Sequence, residues 1–409
     1  MALLQKENRM FTHPLMISEN ALYWPLAILL FFDANTMWLF SLHSAVQHSL
    51  KFLILLLPLV VRGLRGNLVL GSSHFILKFL LLIAALSALF PMSLRAGYAE
   101  YYLVIFFCYF LLVILNIATL RKGGIVDLFY KFETFTVVFA VISLFFWLFG
   151  ETIKLIPPMG YAHNAWSGTV PNFYFLHYGA QVYRNCGVFV EAPMYNLVLC
   201  TSLFVELFLR EKLSKIRFSI LCITILTTFS TTGQLVMMGA LFVRFVVLSK
   251  KKFSLLVIVI SSILAMIAMA AVVYAAVVIM VEKAEGASYA VRYMKMMTEL
   301  NAFKTSPIIG NGFFSYTYGT SNSICLILAE GGIWQFLLYV LPMVFMPLWL
   351  SKKLAQPSLK YFSLFYFAVF SITVSPYLLL TYTVIASCLC RVILDKNTFL
   401  DKWTVRDKN

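Results

Sequence analysis

Arg184 and Glu191 are the two residues whose types and spacing best suit chemistry. They bracket Asn185-Cys186-Gly187-Val188-Phe189-Val190, where a polar stretch gives way to an apolar run. A guanidinium holds phosphate oxygens bidentately and keeps its charge at any relevant pH. A carboxylate at a dry membrane boundary takes a raised pKa and is able to act as a base. The competing reading is that the two side chains pair with each other or with backbone groups. Further candidates are ionisable groups inside apolar runs, where they are costly: Asp33 with Asn35, Lys131 with Glu133, Glu206, and Glu330. Glu206 stands one helical turn from Arg210 and reads as a surface pair. Lys131 can snorkel to the membrane edge. Asp33 and Glu330 fit structural hydrogen bonding better than catalysis. No Walker loop, metal-ligand spacing, nucleophile elbow or zincin motif occurs. Gly310-Asn311-Gly312 reads as a tight turn.

The elements that must hold these residues are membrane helices. Of the 409 residues, 61% are hydrophobic and only 12% charged, and mean hydropathy is +0.88. A soluble domain needs about a quarter of its residues charged, so a soluble enzyme and a disordered chain are both excluded. The expected fold is an all-α polytopic integral membrane protein, one transmembrane domain over 1–409 with about 12 helices of some 20 apolar residues each. Apolar runs lie at 21–43, 50–61, 75–91, 101–119, 125–149, 188–209, 216–231, 234–249, 253–281, 323–350, 360–375 and 377–394. The run 50–61 is short, and 216–249 is two spans or a broken, re-entrant pair divided at Ser230-Thr231-Thr232-Gly233, small residues that tolerate unwound backbone where protein covers it. The net charge of +15 is spread in clusters such as Lys250-Lys251-Lys252, without a basic stripe. It therefore reads as a topology signal and not as nucleic-acid binding. The excess of Lys and Arg places both termini in the cytoplasm and two long loops, 150–187 and 282–322, outside. The seven cysteines show no disulfide or zinc spacing. The first twenty residues lack the h-region and cleavage site of a signal peptide.

The loop 150–187 is rich in Pro, Gly, Asn and aromatics, as if packed down on the membrane surface. Tyr161, His163, His177 and Tyr178 offer the apolar ring faces and polar edges with which proteins hold sugars; an interfacial aromatic belt is the alternative. The loop 282–322 contains an amphipathic helix, capped near Ser288 and ended by Ser306-Pro307. Its apolar stripe is Tyr289, Tyr293, Met296, Leu300 and Phe303. Arg292, Lys295 and Glu299 share another face, turned to water or to lipid headgroups, unless Lys295 and Glu299 merely form a solubilising pair.

Two blocks carry a family resemblance: R-N-C-G-V-F-V-E-A-P at 184–193, and Arg292–Gly332, where an Arg-bearing helix is followed by P-I-I-G-N-G-F and then S-N-S-I-C-L-I-L-A-E-G-G. Together they resemble the bacterial O-antigen polymerase and O-antigen ligase superfamily, integral membrane glycosyltransferases of GT-C type that use glycans on undecaprenyl diphosphate. Thr228-Phe229-Ser230-Thr231-Thr232-Gly233 is similar to that family's Thr/Ser turn. The ligase branch has a His before the Asn that opens the tenth span. Here Ser321 precedes Asn322, which favours the polymerase branch and leaves the base unassigned.

The resemblance implies polymerisation, on the outer face of a bacterial cell (inner) membrane, of lipid-linked repeats into O-antigen or capsular polysaccharide. The growing glycan passes to the sugar hydroxyl of an incoming repeat, and undecaprenyl diphosphate leaves. No metal, nucleotide or other cofactor is needed, because the leaving group is already activated. The site must supply positive charge at the diphosphate and orientation of the sugars. Arg184 and Arg292 are expected at the diphosphate, helped by Lys295 and Lys304. Glu191 is expected as base or orienting group, and Tyr161, His163, His177, Tyr178 and Asn322 as further substrate contacts. The expected partners are the lipid-linked glycan, the bilayer and, compatibly, a chain-length regulator. The rival readings are an O-antigen ligase and a polytopic transporter or flippase of lipid-linked glycan. The flippase fits the topology, but the two halves look unlike and the polar residues concentrate outside the membrane.

Overall fold

The computed structural model describes residues 19–64, 73–119, 124–164, 168–247, 287–315, 322–353 and 357–372. The chain is mostly helical, and among these residues six helices are long and apolar enough to cross a membrane. The helices used below are α1 (Glu19–Phe32), α2 (Ser44–Leu64), α3 (Ile76–Arg95), α4 (Ala99–Ile117), α5 (Gly124–Thr152), α6 (Ala192–Leu209), α7 (Lys215–Thr227), α8 (Thr231–Phe242), α9 (Ala287–Thr305), α10 (Ser323–Lys353) and α11 (Pro357–Ile372). Expected spans 253–281 and 377–394 lie outside the described residues.

Helix α6 is the axis of the bundle. It is apolar all round, and nearly all its side chains are buried, as expected of a helix with neighbours on every side. It packs against α5, α7, α8 and α11. Gly233 lets α8 come close, since a Cβ there would stand 1.8 Å from Asn196 Nδ2. By contrast α2 and α3 expose Leu53, Val60, Leu77 and Leu81, side chains suited to lipid.

Side-chain contacts set the helix directions. In α2 and α4, His48 meets Tyr109, Asn116 Nδ2 donates to the Leu55 carbonyl and Arg62 Nη1 donates to Thr119 Oγ1, so the two run parallel. In α1 and α5, Lys131 sits over Trp24 and Phe31 touches Phe135 and Phe139, again parallel. The 35–37 turn after α1 hydrogen-bonds to 188–190, through Met37 N–H to the Val188 carbonyl and Val190 N–H to that of Asn35. Segments 33–43, 95–99, 153–191 and 228–230 therefore gather at one end of the bundle. Residues 310–314 join them, because Phe313 N–H donates to Ser93 Oγ, the Phe313 ring meets Tyr102 edge to face and Phe314 stacks on Tyr101.

This end carries a three-stranded antiparallel sheet: β1 (Gly160–Asn164), β2 (Gly168–Phe173) and β3 (His177–Tyr178), in that order, with Tyr161 opposite Pro171 and Phe173 opposite His177. The sheet forms within the expected loop 150–187, for which no strands were expected. It is held by Asn164, whose Nδ2 donates to the Val190 carbonyl.

Several boundaries also differ from the expectation. The run 21–43 is interrupted after Phe32, so buried Asp33 lies beyond the helix end and pairs with Lys51 at 2.5 Å. The short run 50–61 is part of the 21-residue α2. The stretch 216–249 is a broken pair, α7 and α8, with Phe229 at φ 48° between them. Glu206 and Arg210 are no surface pair. Glu206 is buried, and Arg210 bridges it at 3.0 Å and Glu133 at 2.6 Å. Arg217 adds a contact to Glu133 at 3.5 Å, and the Ser214 N–H donates to Glu206.

Helix α10 breaks at Gly332 (φ 61°, ψ −161°). The freed backbone is taken up by the preceding loop: Ile333 and Trp334 N–H donate to the Pro307 and Ile308 carbonyls, while Asn311 and Gly312 N–H donate to those of Ala329 and Glu330. P-I-I-G-N-G-F and A-E-G-G are thus one hydrogen-bonded unit. A Cβ on Gly310 (φ 67°) would stand 2.2 Å from the Glu330 carbonyl oxygen. Gly310→Ala is expected to lower stability by at least about 1 kcal/mol through combined φ strain and backbone clash. Gly63→Ala, with nothing within 4 Å of its added Cβ, leaves the thermal midpoint of the purified protein unchanged or raises it.

Candidate functional site

Arg184 is fixed by the break between α7 and α8. The α7 C-terminus leaves carbonyls without helical partners. The loop supplies the donors: Arg184 Nε binds the Thr228 carbonyl at 2.8 Å, Asn185 N–H binds that of Thr227, and Asn185 Nδ2 binds Thr227 Oγ1 at 3.0 Å. The guanidinium is half-buried, and Nε makes its one side-chain hydrogen bond among the described residues, so the fork is anchored at its base and its two Nη groups are left for a ligand. Burial pulls its pKa down, opposed by Cys186 and Glu191, but a guanidinium starts too high to lose its charge near neutrality.

Glu191 sits at the start of α6 in extended conformation and is half-buried, with no side-chain bond to the helix N-terminus. Burial first, then the Glu151 charge, raises the pKa of the buried Cys186 thiol, Arg184 lowers it and Glu191 raises it further.

The sheet divides two cavities, and exposed Tyr161 borders both. One, of about 510 Å³, is lined by Glu151, Lys154, Tyr161, Pro171, Gln181 and Tyr183 among others. The other, of about 560 Å³, is lined by Trp38, Tyr161, His163, Asn172, Phe175 and Tyr178 among others. Three of the expected sugar contacts, Tyr161, His163 and Tyr178, thus meet in the second cavity. His177 does not line either cavity. It is fully buried, with Nε2 3.0 Å from Glu151 Oε1. Glu191 likewise lines neither. Glu151, Lys154, Trp38, Gln181 and Tyr183 were not singled out in the sequence. Glu151 looked like the polar edge of an apolar run, and only the folding-back of β3 reveals its partner.

The second loop is placed differently. Arg292 lies early in α9, and Lys295 half-buried one turn on. Lys304 is exposed, its Nζ 3.4 Å from Asn301 Oδ1. The described contacts of α9 run to α10 and those of Arg184 to the α7–α8 turn. Asn322 caps α10, accepting from the N–H groups of Ile324 and Cys325. The amphipathic reading of α9 needs correction at Glu299. Expected to face water, it is buried beside Ala302, whereas Tyr293 of the apolar stripe is half exposed. Asn311 locks this junction, its Nδ2 donating to the Ala302 and Ala329 carbonyls. Among the described residues no three His, Cys, Asp or Glu side chains converge as metal ligands.

Burial and the nearby Glu330 push Glu299 up to about 7, against the pull of Lys295. A carboxyl whose pKa is raised by folding stabilises the fold fully below its unfolded value, near 4.5, and loses that contribution as pH rises through 7. The wild-type melting temperature is therefore expected to fall more steeply between about pH 4.5 and 7 than that of Glu299→Gln, a difference read directly from paired thermal melts. No family model matches the chain, and no curated protein or solved structure matches it either.

Proposed function

We propose that this chain is a metal-independent membrane glycosyltransferase that polymerises undecaprenyl-diphosphate-linked oligosaccharide repeats on the outer face of a bacterial cell membrane. The observation that carries the reading is Arg184. An arginine anchored through Nε on a helix C-terminus, its Nη fork uncommitted and its chain neighbour Tyr183 lining a cavity with Tyr161, suits a ligand with a diphosphate at one end and sugars at the other. Support comes also from the two resemblance blocks. Both sit at the end of the bundle where the sheet lies, and there 307–312 and 329–334 interlock.

In this reading Arg184 neutralises the diphosphate as the anomeric C–O bond breaks, and its anchored base avoids reorganisation during the step. Arg292 and Lys295 on α9, with Lys304, present further cations to the lipid phosphates from the second loop. Tyr161, His163 and Tyr178 orient a sugar by stacking and hydrogen bonding. The proposed topology has both termini cytoplasmic, with the sheet end outside.

One feature favours the flippase alternative: α10 is interrupted at Gly332 and α7–α8 at Phe229, and broken helices are common in transporters. Purified protein in liposomes with the lipid-linked repeat separates the two. Chain growth without transbilayer movement supports the enzyme, and movement without growth supports the flippase. In the same assay Arg184→Ala is expected to cut polymer formation at least about 100-fold, the loss typical of one oxyanion-stabilising donor. Arg184→Lys, which keeps charge but not the fork, recovers only part. Unchanged chain length in Arg184→Ala removes this residue from the mechanism.

A further inference from the structure

Chain growth by attack of a sugar hydroxyl requires a group to receive the hydroxyl proton, and we propose that Glu151, oriented by His177, is that group. The inference rests on the polymerase reading above. Glu151 is the one carboxylate among the lining residues of the 510 Å³ cavity. Its Oε1 accepts from His177 Nε2 at 3.0 Å, while Oε2 has no hydrogen-bond partner. A carboxylate oxygen left unpaired away from water is costly, and a substrate hydroxyl entering the cavity would supply the missing donor.

The surroundings are built around this carboxylate. A Cβ on Gly179 would stand 2.7 Å from Glu151 Oε1 and 3.1 Å from Pro171 Cγ, so the absence of a side chain there leaves the slot that Oε1 occupies. His177 is fully buried beside the Phe173 ring, 6.0 Å between centroids, in the strand pair β2–β3. It is thereby held as a positioning residue that does not reach the cavity. Tyr161 and Tyr183, 71% and 76% exposed, flank the opening with ring faces on which a sugar can lie. Tyr183, which lines the cavity together with Glu151, is the chain neighbour of Arg184.

The step balances as follows. The acceptor hydroxyl proton passes to Glu151 Oε2 while the acceptor oxygen bonds to the donor's anomeric carbon. The bond from that carbon to the diphosphate oxygen breaks, and undecaprenyl diphosphate departs with the electron pair, its charge met by Arg184. Glu151 then returns the proton to water through the cavity mouth. No oxidant, metal or nucleotide enters.

The test is turnover of full-length protein in liposomes supplied with undecaprenyl-diphosphate-linked repeat, measured against acceptor concentration. Glu151→Gln keeps size and hydrogen bonding but not basicity. It is expected to lower kcat at least about 100-fold with KM within about threefold of wild type. His177→Gln, which keeps an N–H donor, stays within about tenfold, and His177→Phe falls further at unchanged KM. A Glu151→Gln turnover near that of wild type, or a defect confined to KM, overturns the proposal. Should Glu151→Gln not fold, Glu151→Asp decides. It retains the charge but withdraws it by one methylene, so kcat is expected to drop about tenfold or more, and wild-type turnover refutes the assignment. If wild-type protein makes no polymer while variants and wild type bind the repeat alike, the polymerase reading itself fails, a result distinct from failure of Glu151 alone.

Discussion

Wherever a membrane helix breaks, the N–H and C=O groups it releases must be satisfied by protein, because hydrocarbon offers no partner. Among the described residues three breaks are closed by segments from elsewhere. The turn after Phe32 pairs with 188–190. The end of α7 is closed by Arg184 and Asn185. The kink of α10 at Gly332 is closed by 307–312. The loops are therefore not ornaments on a finished bundle. The loop 153–191 closes two of the breaks and the loop before α10 closes the third. This obligation fixes where Arg184 stands, and it excludes a Cβ at Gly310 and at Gly332, whose added carbon would be 2.5 Å from the Ile308 carbonyl.

Rigid loops at a membrane surface can hold chemistry that mobile ones cannot. Arg184 is tied by backbone carbonyls, and Tyr161 stands on a strand whose last residue, Asn164, is bonded to Val190 at the entrance to α6. The side chains that border the two cavities are thus positioned by the same hydrogen bonds that close the helix breaks. Within the proposed reading, this is the preorganisation that lets a site with no metal stabilise a departing diphosphate.

Much of this was legible in residue types. The Thr/Ser/Gly run at 228–233 announces a break, whereas Gly310-Asn311-Gly312 reads only as a tight turn, and its meeting with 329–334 emerges from the fold alone. The prominence of Arg184 followed from a cation beside an apolar run. What was not legible depends on contacts between distant segments. The sheet lacks a clean apolar alternation, and Pro171 sits in its middle strand, so composition suggested loop. Glu206 and Arg210 look like a surface pair until Glu133 arrives from α5. Glu299 carries a surface residue's signature and is buried only because Asn311 binds α9 down onto α10. Glu151 and His177 are separated by the whole hairpin and meet only when β3 folds back.

The charges also differ between the two ends of the bundle, and the difference bears on which end works. At the end away from the sheet, Glu133, Glu206, Arg210 and Arg217 form a network in which each group has a charged partner within 3.5 Å, and the Arg210 guanidinium lies 4.2 Å from the Tyr130 ring centroid. Removing Arg210 would leave Glu206 without its charged partner and removing Glu133 would do the same to Arg217, which is what makes such clusters structural. At the sheet end the same residue types are left half-satisfied among the described residues: the Arg184 side chain is bonded only through Nε, and Glu151, which lines open volume, only through Oε1. Folding gains nothing from the unpaired halves, and burial makes the unpaired carboxylate oxygen costly. Within the proposed reading, the closed network holds the fold together and the half-satisfied groups at the sheet end are the ones that meet the substrate.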